Sequence, residues 1–543
     1  MCFMPTVPLR SPAGKWIMVS AILASSMAFI DSTALNVVLP SLQQSLRATG
    51  ADLFWILNAY LLMLAALILI GGSLGDRLGR KKVFMTGIFI FLIGSASCGL
   101  APNTFFLILF RILQGVGGSL MIPGSLSLIS ASIDEKEKGK AIGIWSSITT
   151  VVTVGGPILG GALADAGLWR YIFFINIPLG ALALLILWRK VKESRNEASP
   201  GALDYTGAIT IALGLALLTF GFLRIPAIGF GNVEVIGSLA VGLLLLILFI
   251  RIEKRSGNPM MPLHLFSNST FSGTNALTFF LYAGLGAGML FLSLNLVQVQ
   301  GYSQLQSGLT FLPFTAMMIT LARYAGGLSD KYGPRVLLIA GPATAGAGLL
   351  LLSFIRQTHG PSDYWTTFFP AVLLFGLGIA FTVAPLTAAV MGSVDSSFSG
   401  TASGVNNAIS RIANVFANAI FGALAVLFFS GSLRGQIKHM PLNAQQRQAV
   451  MAQAADLGNA TVPADVGGEG RATGAGGAVP PEEKDGGPRV GGTGPVGGER
   501  EQIAAAYRHA FISAYAGILR ISSALAFAGA LMAFVFVKKV RVT

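Results

Sequence analysis

Apolar runs of membrane-spanning length recur along the whole chain, separated by short polar segments. A helix that crosses the hydrocarbon core of a bilayer needs about 20 mostly apolar residues. Such runs lie at 16–40, 53–74, 83–101, 104–130, 139–164, 168–188, 204–223, 233–252, 270–299, 305–325, 335–355, 365–390, 401–430 and 511–537. The pattern predicts an all-α polytopic membrane protein with about fourteen spans. The first run follows Arg10 and Lys15. It is longer than the apolar stretch of a secretory leader, contains Asp31 and lacks a small-residue cleavage site, so it is read as a span.

Composition excludes a soluble alternative. Of 543 residues, 53% are hydrophobic and 11% charged, with a mean hydropathy of +0.70. Soluble domains carry roughly 25% charged residues, and this chain has too few to cover a core of its size. The net charge of +14 raises the question of nucleic acid, but the basic residues sit in short clusters between apolar runs, so no nucleic-acid partner is expected. With the N-terminus placed in the cytoplasm, the inside segments hold Arg10 and Lys15, the cluster Arg77 to Lys82, Lys136 to Lys140, Arg189 to Arg195, Arg251 to Arg255, Lys331 with Arg335, and Lys538 to Arg541. The short outside loops hold only Arg47, Arg170, Arg224 and Arg356. Excess Lys and Arg mark cytoplasmic loops, so both termini are expected inside a bacterial cytoplasmic (inner) membrane. The two cysteines, Cys2 and Cys98, imply neither a disulfide framework nor a metal site.

The segment 431–510 departs from this pattern. It reads as a long outside loop with a Gly/Pro-rich middle, about 464–500, of disordered composition. Its flanks, near 442–456 and 499–510, can form short helices. A tolerated insertion is one reading of the loop. Partner binding, with a periplasmic adaptor as one occupant, is the other.

The chain also repeats itself. Gly72-Ser73-Leu74-Gly75-Asp76-Arg77-Leu78-Gly79-Arg80 follows the second span, and Gly326-Gly327-Leu328-Ser329-Asp330-Lys331-Tyr332-Gly333-Pro334-Arg335 follows the tenth. Both read G-x-L-x-D-[RK]-x-G, with Asp76 and Asp330 254 residues apart. Duplicated halves are common in secondary transporters. The repeat divides the chain into a six-helix half at 1–190, an inserted helix pair with linkers at 191–269, spans 9–13 of a second half at 270–430, the loop 431–510, and span 14 with a basic tail at 511–543. In the motif the glycines permit a tight turn. The aspartate can cap a helix or pair with an arginine, which makes Gly72, Asp76, Arg77, Gly79, Arg80, Asp330, Gly333 and Arg335 candidates for a conformational loop.

With these motifs in view, the sequence resembles the major facilitator superfamily, and within it the fourteen-span drug:proton antiporter family. The loop motif is similar to that superfamily's signature. Asp31-Ser32-Thr33-Ala34-Leu35-Asn36-Val37-Val38-Leu39-Pro40 is similar to the family's first-span motif, and Arg111-Ile112-Leu113-Gln114-Gly115-Val116-Gly117 to its R-x-x-Q-G-x-G. Gly155-Gly156-Pro157-Ile158-Leu159-Gly160-Gly161 resembles the antiporter motif, with Val152 where a further glycine usually stands. Trp169-Arg170-Tyr171-Ile172-Phe173-Phe174-Ile175-Asn176-Ile177-Pro178 matches the approach to span six. The resemblance implies a major facilitator fold of two six-helix halves plus the inserted pair. It also implies a gating role for Gly156, Pro157, Gly160 and Gly161, for which close packing is the competing reading.

Asp31 is the one carboxylate well inside a span, and a charge at mid-bilayer costs about 2.5–3.5 kcal/mol on insertion scales. It lies nine residues before the end of its run, and Arg111 seven after the start of its own. At 1.5 Å per residue both are about 10–13 Å deep. Arginine keeps its proton, so a proton switch must be the carboxylate: a cation beside it favours its charged form and burial disfavours it. The pair Asp31 and Arg111 is therefore the candidate for proton coupling, with a static ion pair as the plain alternative. Gln114 lies one turn from Arg111. Asn36, Gln114, Asn407, Arg411, Asn414 and Asn418 are candidates for the transport path or for helix–helix glue. The last four, spaced 4, 3 and 4 apart, share one face of span thirteen. Asn275, Tyr282, Asn295 and Gln298 of span nine are of the same kind. All four histidines lie outside the spans.

Neither a G-x-x-x-x-G-K-[ST] phosphate loop nor an H-E-x-x-H zinc motif occurs. No enzyme, metal or cofactor is expected, protons serving as the coupling ion. The expectation is a proton-coupled secondary transporter exporting small lipophilic or drug-like compounds, with lipophilic cations or neutral drugs as the compositional guess. Its rivals are a carrier of one metabolite, inward or outward, and a receptor that keeps the fold and transports nothing.

Overall fold

A computed structural model describes residues 7–194, 204–257, 259, 261, 263–394, 399–454, 457, 460, 462–463 and 497–538. The side chains of Asp76, Arg77 and Asp330 lie outside that description, as does the Gly/Pro-rich stretch 464–496. The chain is all-helical among the described residues, apart from an isolated bridge between Val7 and Ile133. A lipid-embedded backbone must satisfy its own hydrogen bonds, which the helix does within one segment.

In chain order the helices are α1 (Pro12–Leu46), α2 (Gly50–Leu78), α3 (Arg80–Leu100), α4 (Thr104–Ser132), α5 (Glu135–Asp165), α6 (Tyr171–Phe174), α7 (Asn176–Lys190), α8 (Tyr205–Ile228), α9 (Val233–Arg255), α10 (Ser269–Gln298), α11 (Gln304–Leu309), α12 (Leu312–Tyr332), α13 (Pro334–Leu352), α14 (Phe368–Gly392), α15 (Ser399–Ile437), α16 (Ala444–Ala452) and α17 (Gly497–Phe536). Local chemistry sets their ends. Ser11 caps α1 by accepting from the Gly14 amide at 3.0 Å, with Pro12 in the first turn. Thr49 and Asp52 form a reciprocal capping box on α2.

Fourteen of these helices have 15 residues or more. Among the described residues, twelve segments qualify as spans by length and apolarity, α6 and α7 counting as one. α5 and α12 contain residues outside the description and are not part of that count. Apolarity thus gives a multi-pass membrane protein and leaves the count of fourteen unfixed. Two expected spans are also broken. Span six breaks at Ile175, and Asn176 at the break donates to Ser95 Oγ at 2.9 Å, which in turn donates to the Phe173 carbonyl at 2.8 Å. Span ten divides at Thr310 and Phe311 into α11 and α12.

The packing occurs twice. In the first half α4 packs on α2 and α3, α3 on α7, and α1 on α5; in the second, α14 packs on α12 and α13, α13 on α17, and α10 on α15. Small residues make the equivalent crossings tight. A Cβ on Gly117 would lie 2.3 Å from the Phe91 amide, and one on Gly378 2.2 Å from that of Ala345. Close backbone approach of this kind drives helix association in lipid. Between the halves, α8 and α9 pair with each other, and α8 packs on α2 and α15.

α15 and α17 have 39 and 40 residues, about 60 Å at 1.5 Å per residue, twice the roughly 30 Å hydrocarbon thickness. Their excess turns, with α16, enclose Leu433, Ile437, Val450, Ile503 and Phe511. Phe429 stacks on Tyr507 at 6.3 Å, and the Tyr507 hydroxyl donates to the Val450 carbonyl at 3.2 Å. Residues 497–510 therefore continue the last long helix rather than form a short one, because Ile503, Tyr507 and Phe511 extend its apolar face into this cap.

Candidate functional site

Asp31 of α1 and Arg111 of α4 meet in the interior, each 1% exposed. Arg111 Nη1 donates to Asp31 Oδ2 at 2.5 Å and to Gln114 Oε1 at 2.8 Å. Gln114 Nε2 closes the ring by donating to Asp31 Oδ1 at 2.8 Å. Arg111 Nε reaches the Ile56 carbonyl of α2 at 3.3 Å, and the guanidinium lies over the Tyr60 ring, 4.4 Å from its centroid. Cys98 of α3 donates its thiol weakly to Gln114 Oε1 at 3.8 Å. Four helices of one half converge on one carboxylate and one cation, both desolvated. Such a pair is near balance only while both partners stay charged, since removing either charge leaves the other buried alone.

The segment of α1 that carries Asp31 rests on α5. A Cβ on Gly156 would lie 2.0 Å from Thr33 Oγ1, and one on Gly160 2.7 Å from the Ala34 carbonyl. The next glycine faces the other half: a Cβ on Gly161 would lie 2.4 Å from the Gln304 carbonyl, and Gly308 of α11 approaches the Pro157 carbonyl equally closely. Just beyond, Asp165 at the end of α5 caps α11. Its carboxylate accepts from Ser303 Oγ at 2.7 Å, the Gln304 amide at 2.8 Å and the Leu305 amide at 2.9 Å. Gln298 donates to Gln43 at 3.1 Å, and Gln304 bonds Ser41. The two halves are thus fastened at the end of the molecule that carries Arg47, the turn between α1 and α2.

The comparisons with known proteins bear on this arrangement. Residues 21–418 match the model of the Major Facilitator Superfamily. The chain belongs to that superfamily. It is a membrane transporter and not an enzyme. Among curated relatives it is 33% identical over 434 residues to the multidrug resistance protein Stp of Mycobacterium tuberculosis, covering 78% of each chain. It is 32% identical over 400 residues to the tetracenomycin C resistance and export protein of Streptomyces glaucescens, covering 73% of each. It is 28% identical over 428 residues to the methylenomycin A resistance protein of Bacillus subtilis, covering 78% of this chain and 90% of that one. Among solved structures, a bacterial homologue of the human lysosomal transporter Spinster superposes with a TM-score of 0.62 at 19% identity, over 96% of this chain and 98% of that one. The xylose transporter XylE of E. coli gives 0.55 at 13% identity, over 97% of each. These two likenesses show the fold alone.

Within this major facilitator fold the remaining predicted residues scatter. Asn36 is half-buried on α1. On α15 the stripe divides. Asn418 is buried, and the Asn414 amide donates to the Ser410 carbonyl at 2.8 Å, with its oxygen in the space a Cβ on Gly286 of α10 would take. Asn407 is exposed, while its unpredicted neighbour Asn406 donates to Asn275 at 3.0 Å and to Thr278 at 2.7 Å. Arg411 is half-buried, within electrostatic range of Tyr60 and Tyr282.

The loop motif is placed by its glycines. Gly79 and Gly333, at equivalent turns, have φ of 109° and 79°, which glycine adopts without strain. Glu193, just after α7, accepts from the Lys81 and Lys82 amides at 2.9 and 3.0 Å. In the other half Arg335 donates to the Phe534 carbonyl of α17 at 2.7 Å. Each turn is so tied to the last helix of its own half. Gly72 has only ordinary contact with Pro123, and Arg80 donates its amide to the Ser194 carbonyl at 2.8 Å. Sequence reasoning missed Tyr60, Asp165, Glu193 and Asn406. Of these only Asp165 lies beside a motif, four residues past Gly161, and nothing local indicates its partners.

Proposed function

We propose that the protein is a proton-driven exporter of small, drug-like lipophilic compounds, working by alternating access in a bacterial cytoplasmic membrane with both chain ends inside. The observation that carries the reading is the closed ring of Asp31, Arg111 and Gln114, a buried carboxylate with a fixed cation beside it. A proton arriving on Asp31 cancels its charge and leaves Arg111 uncompensated in a dry interior. Relief requires α1 to move relative to α4. α1 moves with α5 through Gly156 and Gly160, and α5 holds α11 of the other half through Gly161, Pro157 and Asp165. Proton loading is thereby linked to the fastening at the Arg47 end, which is taken as the outer face. The names of the curated relatives, drug resistance and export proteins, support export as the direction. The membrane potential supplies about 2.3 kcal/mol per charge per 100 mV.

The test is dye efflux from energised cells carrying the native chain, Asp31→Asn, or no transporter. The expected outcome is efflux that an uncoupler abolishes and that Asp31→Asn lacks at equal membrane expression. Pumping against a gradient by Asp31→Asn would remove the residue from coupling. Inward accumulation by the native chain would favour an uptake carrier.

A further inference from the structure

α3 and α7 run antiparallel: Lys81 reaches the Val191 carbonyl at one end, and further along a Cβ on Gly180 would lie 2.5 Å from the Leu92 side chain. Between those contacts the two helices part. Thr86 and Phe89 of α3, with Ala181, Leu185 and Trp188 of α7, line a shallow groove of about 590 Å³. Phe89 and Trp188 are 57% and 65% exposed, so the groove opens on the outer surface of the half, where lipid lies. It follows α7 for seven residues, about 10 Å at 1.5 Å per residue, room for a stretch of acyl chain.

Cations stand at its loop-motif end. Lys82 precedes Thr86 by four residues and Phe89 by seven, which puts it on the same face of α3. It is exposed, and among the described residues its ammonium has no partner, since the bond to Glu193 is made by its backbone amide. Arg189 lies over the Trp188 ring, 5.6 Å from its centroid. Lys81 is engaged instead, donating to the Trp188 and Val191 carbonyls at 3.3 and 2.7 Å. A lysine at a helix end commonly snorkels to the interface; Lys82 differs in having an apolar groove in line with it. The second half offers a comparison within the molecule. Arg335 bonds the Phe534 carbonyl as Lys81 bonds that of Trp188, so the two crossings correspond. There Val336 stands in the place of Lys82, and Phe527 in that of Ala181, its ring 3.2 Å from where a Cβ on Gly346 would lie. The small residue and the free cation occur together in the first half, and both are replaced in the second.

We propose that this groove binds an anionic phospholipid, with an acyl chain along Phe89, Ala181 and Leu185 and the headgroup phosphate on Lys82 and Arg189. Charge complementarity selects the occupant. A zwitterionic lipid brings its own cation toward two basic residues, whereas phosphatidylglycerol brings none. Basic pockets between spanning helices hold anionic headgroups in this way. The site requires the membrane-spanning fold and is independent of the export reading.

Native mass spectrometry of the purified full-length chain, given equimolar phosphatidylglycerol and phosphatidylcholine with the same acyl chains, tests which lipid stays bound first. The native chain should prefer phosphatidylglycerol by about fivefold or more, and Lys82→Gln should lose that preference, because one lysine at an anionic headgroup accounts for about that factor. Lys82→Arg should keep it. Ala181→Phe, which installs the second-half residue in the groove, should weaken phosphatidylglycerol retention with both cations in place. Adding Val336→Lys to Lys82→Gln restores the net charge at the crossing that holds Phe527 and should not restore the preference. Equal retention of the two lipids by the native chain overturns the proposal. So does a preference that survives Lys82→Gln or returns with Val336→Lys, which would make it an effect of net charge alone. Unchanged retention in Ala181→Phe would deny the groove its part and overturn the proposal as well.

Discussion

Asp31 and Arg111 would each be expensive alone, and their worth lies in being together. Arg111 spends its donors on Asp31, Gln114 and the Ile56 carbonyl and its face on Tyr60. Arg111→Met should therefore destabilise the protein by about 3–5 kcal/mol, the cost of orphaning a buried charge. The double variant Asp31→Asn with Arg111→Met should recover much of that loss without recovering transport. Thermal unfolding of the purified variants, read beside efflux, checks both statements. A double variant no more stable than Arg111→Met would mean that the two residues are not energetically coupled. The pair was legible in the sequence because lipid makes any charge inside an apolar run conspicuous, and counting residues from the run ends placed both at one depth. Tyr60 was not, because an aromatic residue in an apolar run carries no such signal. Asn406 was missed for a geometric reason: adjacent helix positions are about 100° apart, so a stripe anchored on Asn407 points away from the Asn275 and Thr278 that Asn406 meets.

At the scale of elements, α5 packs on α1 of its own half and on α11 of the other, as α2 packs on α4 and on α15. The glycines of α5 read in the sequence as gating or packing, and close packing is what their surroundings display: Gly156 and Gly160 against α1, Gly161 against α11. The Asp165 cap was illegible, since it joins residues 138 to 140 positions apart and no local pattern encodes that pairing. Asp165→Asn removes the charge from three hydrogen bonds at a solvent-exposed seam. The fastened state should lose about 1 kcal/mol, roughly fivefold in the closed-to-open ratio. In a Ser41→Cys background, labelling by a membrane-impermeant thiol reagent should rise by that factor, and unchanged labelling would deny Asp165 a part in the seam. Nearby, the turn before α14 is pH-sensitive. Hydrogen bonds from the His359 amide and ring hold the Asp363 carboxyl below its usual 3.8. A depressed value adds stability that is present above 3.8 and is lost as pH falls below it. Amide exchange across 359–367 should therefore quicken in that acid range, relative to its intrinsic rate, in the native chain but not in Asp363→Asn.

The whole molecule shows why the architecture was easier to read than its details. Apolar runs and the doubled loop motif are long-range regularities that a bilayer imposes, and the twofold packing of α1–α7 and α10–α17 follows the repeat. The breaks at Ile175 and Thr310 depend on tertiary partners such as Ser95 and Asp165 and left no mark in hydropathy. The central claim joins these scales: protonation of Asp31, movement of α1 and α5, and release at the Arg47 end are one event. Its most direct test is proton flux in proteoliposomes loaded with a pH dye, with a pH gradient imposed and substrate added. The account predicts that substrate accelerates collapse of the gradient through the native protein and not through Asp31→Asn, although the variant still binds substrate. Substrate-driven proton flux that persists in Asp31→Asn would contradict it.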